Sequence, residues 1–127
     1  MRRVRFGETD PFGVTYFASY FNYFKEALDE FLRERGIKPE LFYRNVQEDY
    51  AFPIVYAEGK FDAPTRYDDE INVDVFVEEL KESSVTFRFE AKRKSEVVAR
   101  GKISCVCVDK SWKRRKIPEE IRRVLQS

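Results

Sequence analysis

Ala18-Ser19-Tyr20-Phe21-Asn22-Tyr23-Phe24-Lys25-Glu26-Ala27-Leu28-Asp29-Glu30-Phe31-Leu32-Arg33-Glu34-Arg35 repeats its apolar side chains at spacings of three and four. Tyr20, Phe24, Ala27, Leu28, Phe31 and Arg35 fall in one row, with Phe21 and Leu32 widening the stripe. That is the period of an amphipathic helix. Lys25, Glu26, Asp29, Glu30, Arg33 and Glu34 fill the other side, and Gly36 supplies a C-terminal stop. At about 1.5 Å per residue the rod is roughly 27 Å long. A stripe so rich in aromatic rings needs a broad apolar surface to cover it.

Downstream the period changes from helical to alternating. Ile71, Val73, Val75 and Val77 alternate with Asn72, Asp74 and Phe76; Val85, Phe87, Phe89 and Ala91 alternate with Thr86, Arg88 and Glu90. These patterns predict antiparallel strands with one apolar face. The run from Val97 to Val108 carries apolar residues on both faces, which points to burial outside the monomer and a homo-oligomer. A further strand is expected from Ile54 to Phe61, with Pro53 at its start and a bulge at Gly59. Turns are expected at Glu79-Leu80-Lys81-Glu82 and Lys94-Ser95-Glu96. Val4 and Phe6 suggest a short first strand, Gly7 to Thr15 a loop, Pro39 to Tyr43 a short helix, and Pro118 onward a last helix. One α+β domain over residues 1–127 follows, a five-stranded antiparallel sheet wrapped around the long helix.

Composition narrows the chemistry. Of 127 residues 43% are hydrophobic, enough for a sizeable core, and 16% are aromatic. The 24 Lys and Arg nearly cancel 23 Asp and Glu, so a net charge of +1 gives no global argument for nucleic acid or membranes. Histidine is absent, which removes His-based triads and dyads and every His-ligated metal site. Cys105 and Cys107 are the only thiols, and i,i+2 positions on one strand are poorly placed to bridge. Buried core cysteines are the expectation, with neither metal nor cofactor. No run approaches the roughly 20 apolar residues of a membrane span. Glu8, Thr9, Asp10 and Pro11 interrupt any signal-type sequence after the basic Met1–Arg5. A soluble, cytoplasmic protein is expected. Three Asn and two Gln against abundant Glu, Lys and Arg lean towards a thermophilic source.

The segment Arg5-Phe6-Gly7-Glu8-Thr9-Asp10-Pro11-Phe12-Gly13-Val14-Thr15-Tyr16-Phe17-Ala18-Ser19-Tyr20-Phe21 resembles the start of the hotdog-fold acyl-CoA thioesterases. The resemblance is to the 4-hydroxybenzoyl-CoA thioesterase type, which includes the thioesterases encoded beside Tol-Pal envelope genes. Tyr67-Asp68-Asp69 before an alternating strand, and Ser84-Val85-Thr86-Phe87-Arg88-Phe89, are similar to later pieces of the family in the same order. The resemblance implies a hotdog fold, at least a homodimer (or a homotetramer), active sites shared between subunits, and an acyl-CoA or acyl-carrier-protein thioester as substrate.

It also implies site residues. Asp10 would attack the thioester carbon or activate the water that does. The backbone N–H of Phe17, at the helix start, would hold the carbonyl oxyanion. Gly13 allows tight passage of the loop between them. Tyr16, Tyr67 and Ser84 are candidate substrate contacts, with Phe12 and Phe17 as candidate pocket walls. Lys92-Arg93-Lys94 and Lys113-Arg114-Arg115-Lys116, with Ser83 beside Lys81, are the places where coenzyme A phosphates could be met. Asp10-Pro11 is also an ordinary turn starter, so a turn-forming role for Asp10 stands beside the catalytic one. Many family members carry His or Tyr at the position of Phe17 and Asn at that of Ser19, which leaves a backbone donor intact but changes a side-chain contact.

Three other readings compete. A hotdog hydratase or dehydratase generally pairs an acid with His, which is missing. A non-catalytic acyl-CoA or carrier-protein binding module would not need a carboxylate at Asp10. Trp112 with the four cations after it makes a weak nucleic-acid platform, and a solvated loop explains it better.

Overall fold

The computed structural model describes residues 2–126. In chain order the elements are β1 (Arg2–Arg3), a 3₁₀ turn (Phe6–Glu8), α1 (Phe17–Glu34), α2 (Pro39–Tyr43), β2 (Arg44–Asn45), β3 (Tyr50–Ala51), β4 (Ile54–Phe61), β5 (Glu70–Leu80), β6 (Ser84–Arg93), β7 (Glu96–Val106) and α3 (Glu119–Gln126). Five strands form one antiparallel sheet in the order β1-β5-β6-β7-β4, and β2 and β3 pair separately. This is the hotdog arrangement expected from the resemblance.

The sheet curls around α1. Its registers slip at Val55, at Glu78 and at Val98, where one strand carries an extra residue against its partner. Each such bulge bends its strand and raises the local twist. Val85, Phe87, Phe89 and Ala91 of β6 face Cys105, Ile103, Gly101 and Ala99 of β7 on the concave side, all buried. Tyr20, Tyr23, Phe24, Leu28, Phe31 and Leu32 of α1 fill that concavity. Phe24 stacks on Phe89 with centroids 5.1 Å apart, and Phe31 meets Phe87 edge-on at 6.0 Å.

Several expectations change. Val4 and Phe6 do not form the first strand. The strand is Arg2–Arg3, and the chain then turns because the Glu8 carboxylate accepts the Arg5 amide at 2.8 Å, which leaves Phe6 exposed. The bulge of β4 lies at Val55, whereas Gly59 pairs squarely with Gly101. Gly59 instead admits the Phe61 and Phe21 rings, which would stand 3.1 and 3.3 Å from an added Cβ. The β5–β6 turn is shorter than expected, because the bulge at Glu78 lets β5 run on through Leu80.

The outer face of β7 is polar. Arg100, Lys102 and Ser104 point outward, while Val98, at the bulge, belongs to the buried core and Val106 is also buried. Ion pairs Arg88–Glu90, Lys92–Asp74 and Lys102–Glu78, at 2.8–2.9 Å, cross this convex surface. The exposed apolar surface lies on β4 instead. All eight of its residues are exposed, Ile54, Val55, Tyr56 and Phe61 among them, and only one of its edges is paired.

Cys105 and Cys107 are free and buried. Burial pushes the thiols up to about 12 and about 11, respectively. Both are expected to ignore a thiol reagent at pH 8 in the native protein and to react after denaturation, as a colorimetric thiol titration would read. Because their folded values lie above the 9.0 of a free thiol, their stabilising contribution is full below pH 9 and is lost as pH rises towards 11 and 12.

No helix among the described residues is long and apolar enough to cross a membrane.

Candidate active site

The segment between the 3₁₀ turn and α1 is a tight loop closed on itself. The Asp10 amide donates to the Val14 carbonyl at 2.8 Å and the Gly13 amide to the Asp10 carbonyl at 2.9 Å, with Thr9 bridged to Thr15. Gly13 sits at φ 81°, the left-handed region that favours glycine, with open space around its Cα. Oδ1 of Asp10 accepts the Phe12 amide at 2.9 Å and, more weakly, the Val14 amide at 3.4 Å. The turn-forming role is therefore real, and it belongs to one oxygen. Oδ2 has no hydrogen-bond partner among the described residues.

The loop is anchored from below. The Thr15 amide donates to the Thr65 carbonyl at 2.7 Å, and the hydroxyls of Thr15 and Tyr20 meet the fully buried Thr65 hydroxyl at 2.5 and 2.8 Å. Thr65 is held in turn by the strand that leaves β4, since the Asp62 and Ala63 amides donate to the carbonyl of the bulged Val98. The sheet bulge thus places the floor of the site.

The start of α1 is open. Its N-cap is Tyr16, which supplies no capping side chain, and the Phe17 and Ala18 amides have no acceptor among the described residues. Ser or Asp is the usual choice there, so this helix forgoes about 1 kcal/mol of capping stability. What remains is a pair of free donors at the positive end of the dipole. The Tyr16 and Phe17 rings lie 4.7 Å apart, Phe17 reaches Phe61 at 6.4 Å, and Phe61 stacks on Tyr20 at 5.2 Å. Phe12 is 90% exposed and touches none of these rings.

Asp10, Gly13, Tyr16 and Phe17 thus lie along one short segment that runs from the loop into the helix. Tyr67 stands on the far side of the loop, edge-on to Phe6 at 6.2 Å, one residue beyond the Arg66 that bridges Val14. Ser84 is not nearby within one chain. It opens β6 opposite Val106, whereas the site lies at the Ala91–Ala99 end, about 23 Å away at about 3.3 Å per residue. The basic clusters divide likewise. Lys92 is paired to Asp74 and Arg93 to Asp69 and Glu96 at the site end. Arg114 meets Ser83 at 3.3 Å and Lys116 meets Glu82 at 3.6 Å at the far end.

Sequence reasoning missed Glu8 and Tyr23. Tyr23 is 1% exposed and its hydroxyl donates to Glu8 at 2.9 Å. Burial first and the Glu8 carboxylate second push its phenol well above the usual range. The signal available was Tyr23 directly before Phe24 in the stripe, with an acidic residue two places before Asp10. Ser19 is also occupied, its hydroxyl donating to the Glu8 carbonyl at 3.2 Å. Among the described residues no three His, Cys, Asp or Glu side chains converge to hold a metal ion.

A loop carboxylate seven residues before an open helix start, on a sheet curled around that helix, defines a class. The family model described as the thioesterase-like superfamily matches residues 4–125, and the chain belongs to that superfamily. It is 34% identical over 113 residues to a 1,4-dihydroxy-2-naphthoyl-CoA hydrolase of Prochlorococcus marinus (strain NATL2A), covering 85% of this chain and 73% of that one. The solved structure of a gentisyl-coenzyme A thioesterase superposes with a TM-score of 0.86 at 27% identity, covering 99% of this chain and 98% of that one. A 1,4-dihydroxy-2-naphthoyl-CoA thioesterase from Synechocystis shares the fold, with a TM-score of 0.89 at 22% identity over 99% of this chain and 93% of that one. The protein is a thioester hydrolase.

Proposed function

We propose that the protein hydrolyses acyl-CoA thioesters, with Asp10 as nucleophile or general base and the Phe17 amide as oxyanion donor. The observation that carries this is the division of labour at Asp10. One oxygen is anchored by the loop and the other is free, seven residues ahead of the unsatisfied amide that opens an uncapped helix. As a nucleophile, Oδ2 would attack the thioester carbon and expel the thiolate, leaving a mixed anhydride for water to cleave. As a base, it would take a proton from the attacking water. Both routes place negative charge on the carbonyl oxygen, which the Phe17 and Ala18 amides can meet without rearrangement.

The acyl group is proposed to be aromatic. The relatives named above act on dihydroxylated aromatic acyl groups, and Tyr16, Phe17 and Phe61 offer ring faces at the helix start. The test is free-thiol release from a panel of aromatic, short branched and long-chain acyl-CoA thioesters, with the best acyl group also presented on acyl carrier protein. Turnover on aromatic acyl-CoA supports the reading. A wild type inert on the whole panel overturns it in favour of a binding module.

The second copy enters through β4. Two chains paired antiparallel along that bare edge would set the Ile54 end of one against the Phe61 end of the other. Ser83, Ser84 and Arg114 lie at the Ile54 end, because Ser84 and Pro53 both bond Val106. They would then approach Asp10 of the other chain, which gives Ser84 and the second basic cluster access to the nucleotide end of coenzyme A. Val55→Lys, on the exposed strand, is expected to yield a monomer in sedimentation velocity with KM for acyl-CoA raised at least about fivefold. A dimer of unchanged mass would overturn β4 pairing.

A further inference from the structure

We infer that Glu8 is a positioning residue for this hydrolysis, setting the start of α1 against the Asp10 loop through both its carboxylate and its backbone carbonyl. The inference rests on the proposed reaction and goes beyond it to a residue that touches neither substrate nor reacting atom.

Glu8 stands two residues before Asp10, and it is bonded to β1, the 3₁₀ turn and the first two turns of α1 with its N-cap. Its carbonyl accepts the Tyr16 amide at 2.8 Å and the Ser19 hydroxyl at 3.2 Å, so it grips the helix start on both sides of Phe17. One carboxylate oxygen accepts the Arg5 amide at 2.8 Å and the Tyr23 hydroxyl at 2.9 Å. The other pairs with the Arg2 guanidinium. One residue therefore joins β1, the 3₁₀ turn, the first turn of α1 and the next turn at Tyr23. Asp10 and Phe17 are otherwise linked by a loop that turns at Gly13 and by the Thr15–Thr65 contacts beneath it.

Glu8 cannot be a substrate group in this arrangement. Both carboxylate oxygens are engaged, and the side chain is 19% exposed. Without the carboxylate, Tyr23 loses its acceptor and Arg2 keeps the looser Glu26 contact at 3.5 Å and its place over the Tyr23 ring at 4.9 Å. The helix start can then drift relative to Asp10, and a displacement of about 1 Å at a reacting centre costs on the order of a hundredfold in rate.

The experiment uses the full chain with Glu8→Ala, Glu8→Gln and Tyr23→Phe, reading kcat and KM separately together with the backbone amide spectrum. Glu8→Ala should lower kcat at least about tenfold and leave KM within about twofold, because only the reacting geometry moves. Glu8→Gln keeps an acceptor for Arg5 and Tyr23 and should recover kcat to within about threefold of wild type. The Tyr16 and Phe17 amide resonances should move in Glu8→Ala and return in Glu8→Gln. A folded Glu8→Ala protein with wild-type kcat overturns the inference, as does a Glu8→Gln variant as slow as Glu8→Ala. If Glu8→Ala fails to fold, Tyr23→Phe decides: a kcat loss of at least about threefold at constant KM supports positioning, and an unchanged kcat overturns it. A wild type inert on the thioester panel sinks the proposed reaction instead. In that case unmoved Tyr16 and Phe17 resonances in Glu8→Ala would overturn the positioning on its own.

Discussion

Asp10→Asn is expected to lower thioester turnover at least about a hundredfold while the protein stays folded. The substitution suits the site because the amide oxygen can still accept the Phe12 amide, which Oδ1 does now at 2.9 Å. The turn should survive and circular dichroism should be unchanged. What disappears is the anionic second oxygen, which is needed equally for attack on the thioester and for deprotonating water. Free-thiol release against the best substrate of the panel reads the effect. Retained activity would place the chemistry elsewhere and return Asp10 to its turn.

Gly101→Ala should destabilise the fold by about 2 kcal/mol, the middle of the range for overpacking a close-packed core. A Cβ at Gly101 would stand 2.3 Å from the Phe24 ring, closer than real Cβ contacts come. The ring cannot retreat freely, since one of its faces is stacked on Phe89 at 5.1 Å. Either α1 lifts from the sheet or Phe24 leaves its rotamer. For a chain of this length the melting midpoint should fall on the order of 6–10 °C, which calorimetry would register. An unchanged midpoint would mean that the helix does not approach the sheet at Gly101. A site held between α1 and the sheet should also lose kcat in this variant well below its melting point.

Both expectations trace to parts of the molecule that differ in how openly the sequence displays them. The long helix, α2 and the strand β4 stand within a residue of where periodicity and proline placed them, because each signal is local. The helix stripe and the alternation of β6 meet in the core for the same reason: side-chain period alone decides the buried face. Asp10 and Phe17 were singled out through a family resemblance carried by one short segment. Glu8 was not, since its partners Arg2, Arg5, Tyr16, Ser19 and Tyr23 come together only when the 3₁₀ turn folds back on α1. Ser84 was legible as a strand start and illegible as a neighbour, because sequence order says nothing about which end of a 10-residue strand faces the helix start. The outer face of β7 misled for a related reason. Val98 falls on the outer face in a strictly alternating strand, yet it sits at the bulge and belongs to the core.

The bare edge of β4 bears on the life of the polypeptide before it reaches an active assembly. Eight exposed residues in extended form, with Ile54, Val55 and Tyr56 in a row, offer unpaired backbone groups to any strand that passes. Glu58 and Lys60 interrupt the apolar run near its middle, a modest deterrent to indiscriminate stacking. If β4 pairs with a second copy as proposed, a newly made chain would spend its most vulnerable interval searching for that copy. Expression level and temperature would then act on the search, and solubility would follow how quickly like finds like.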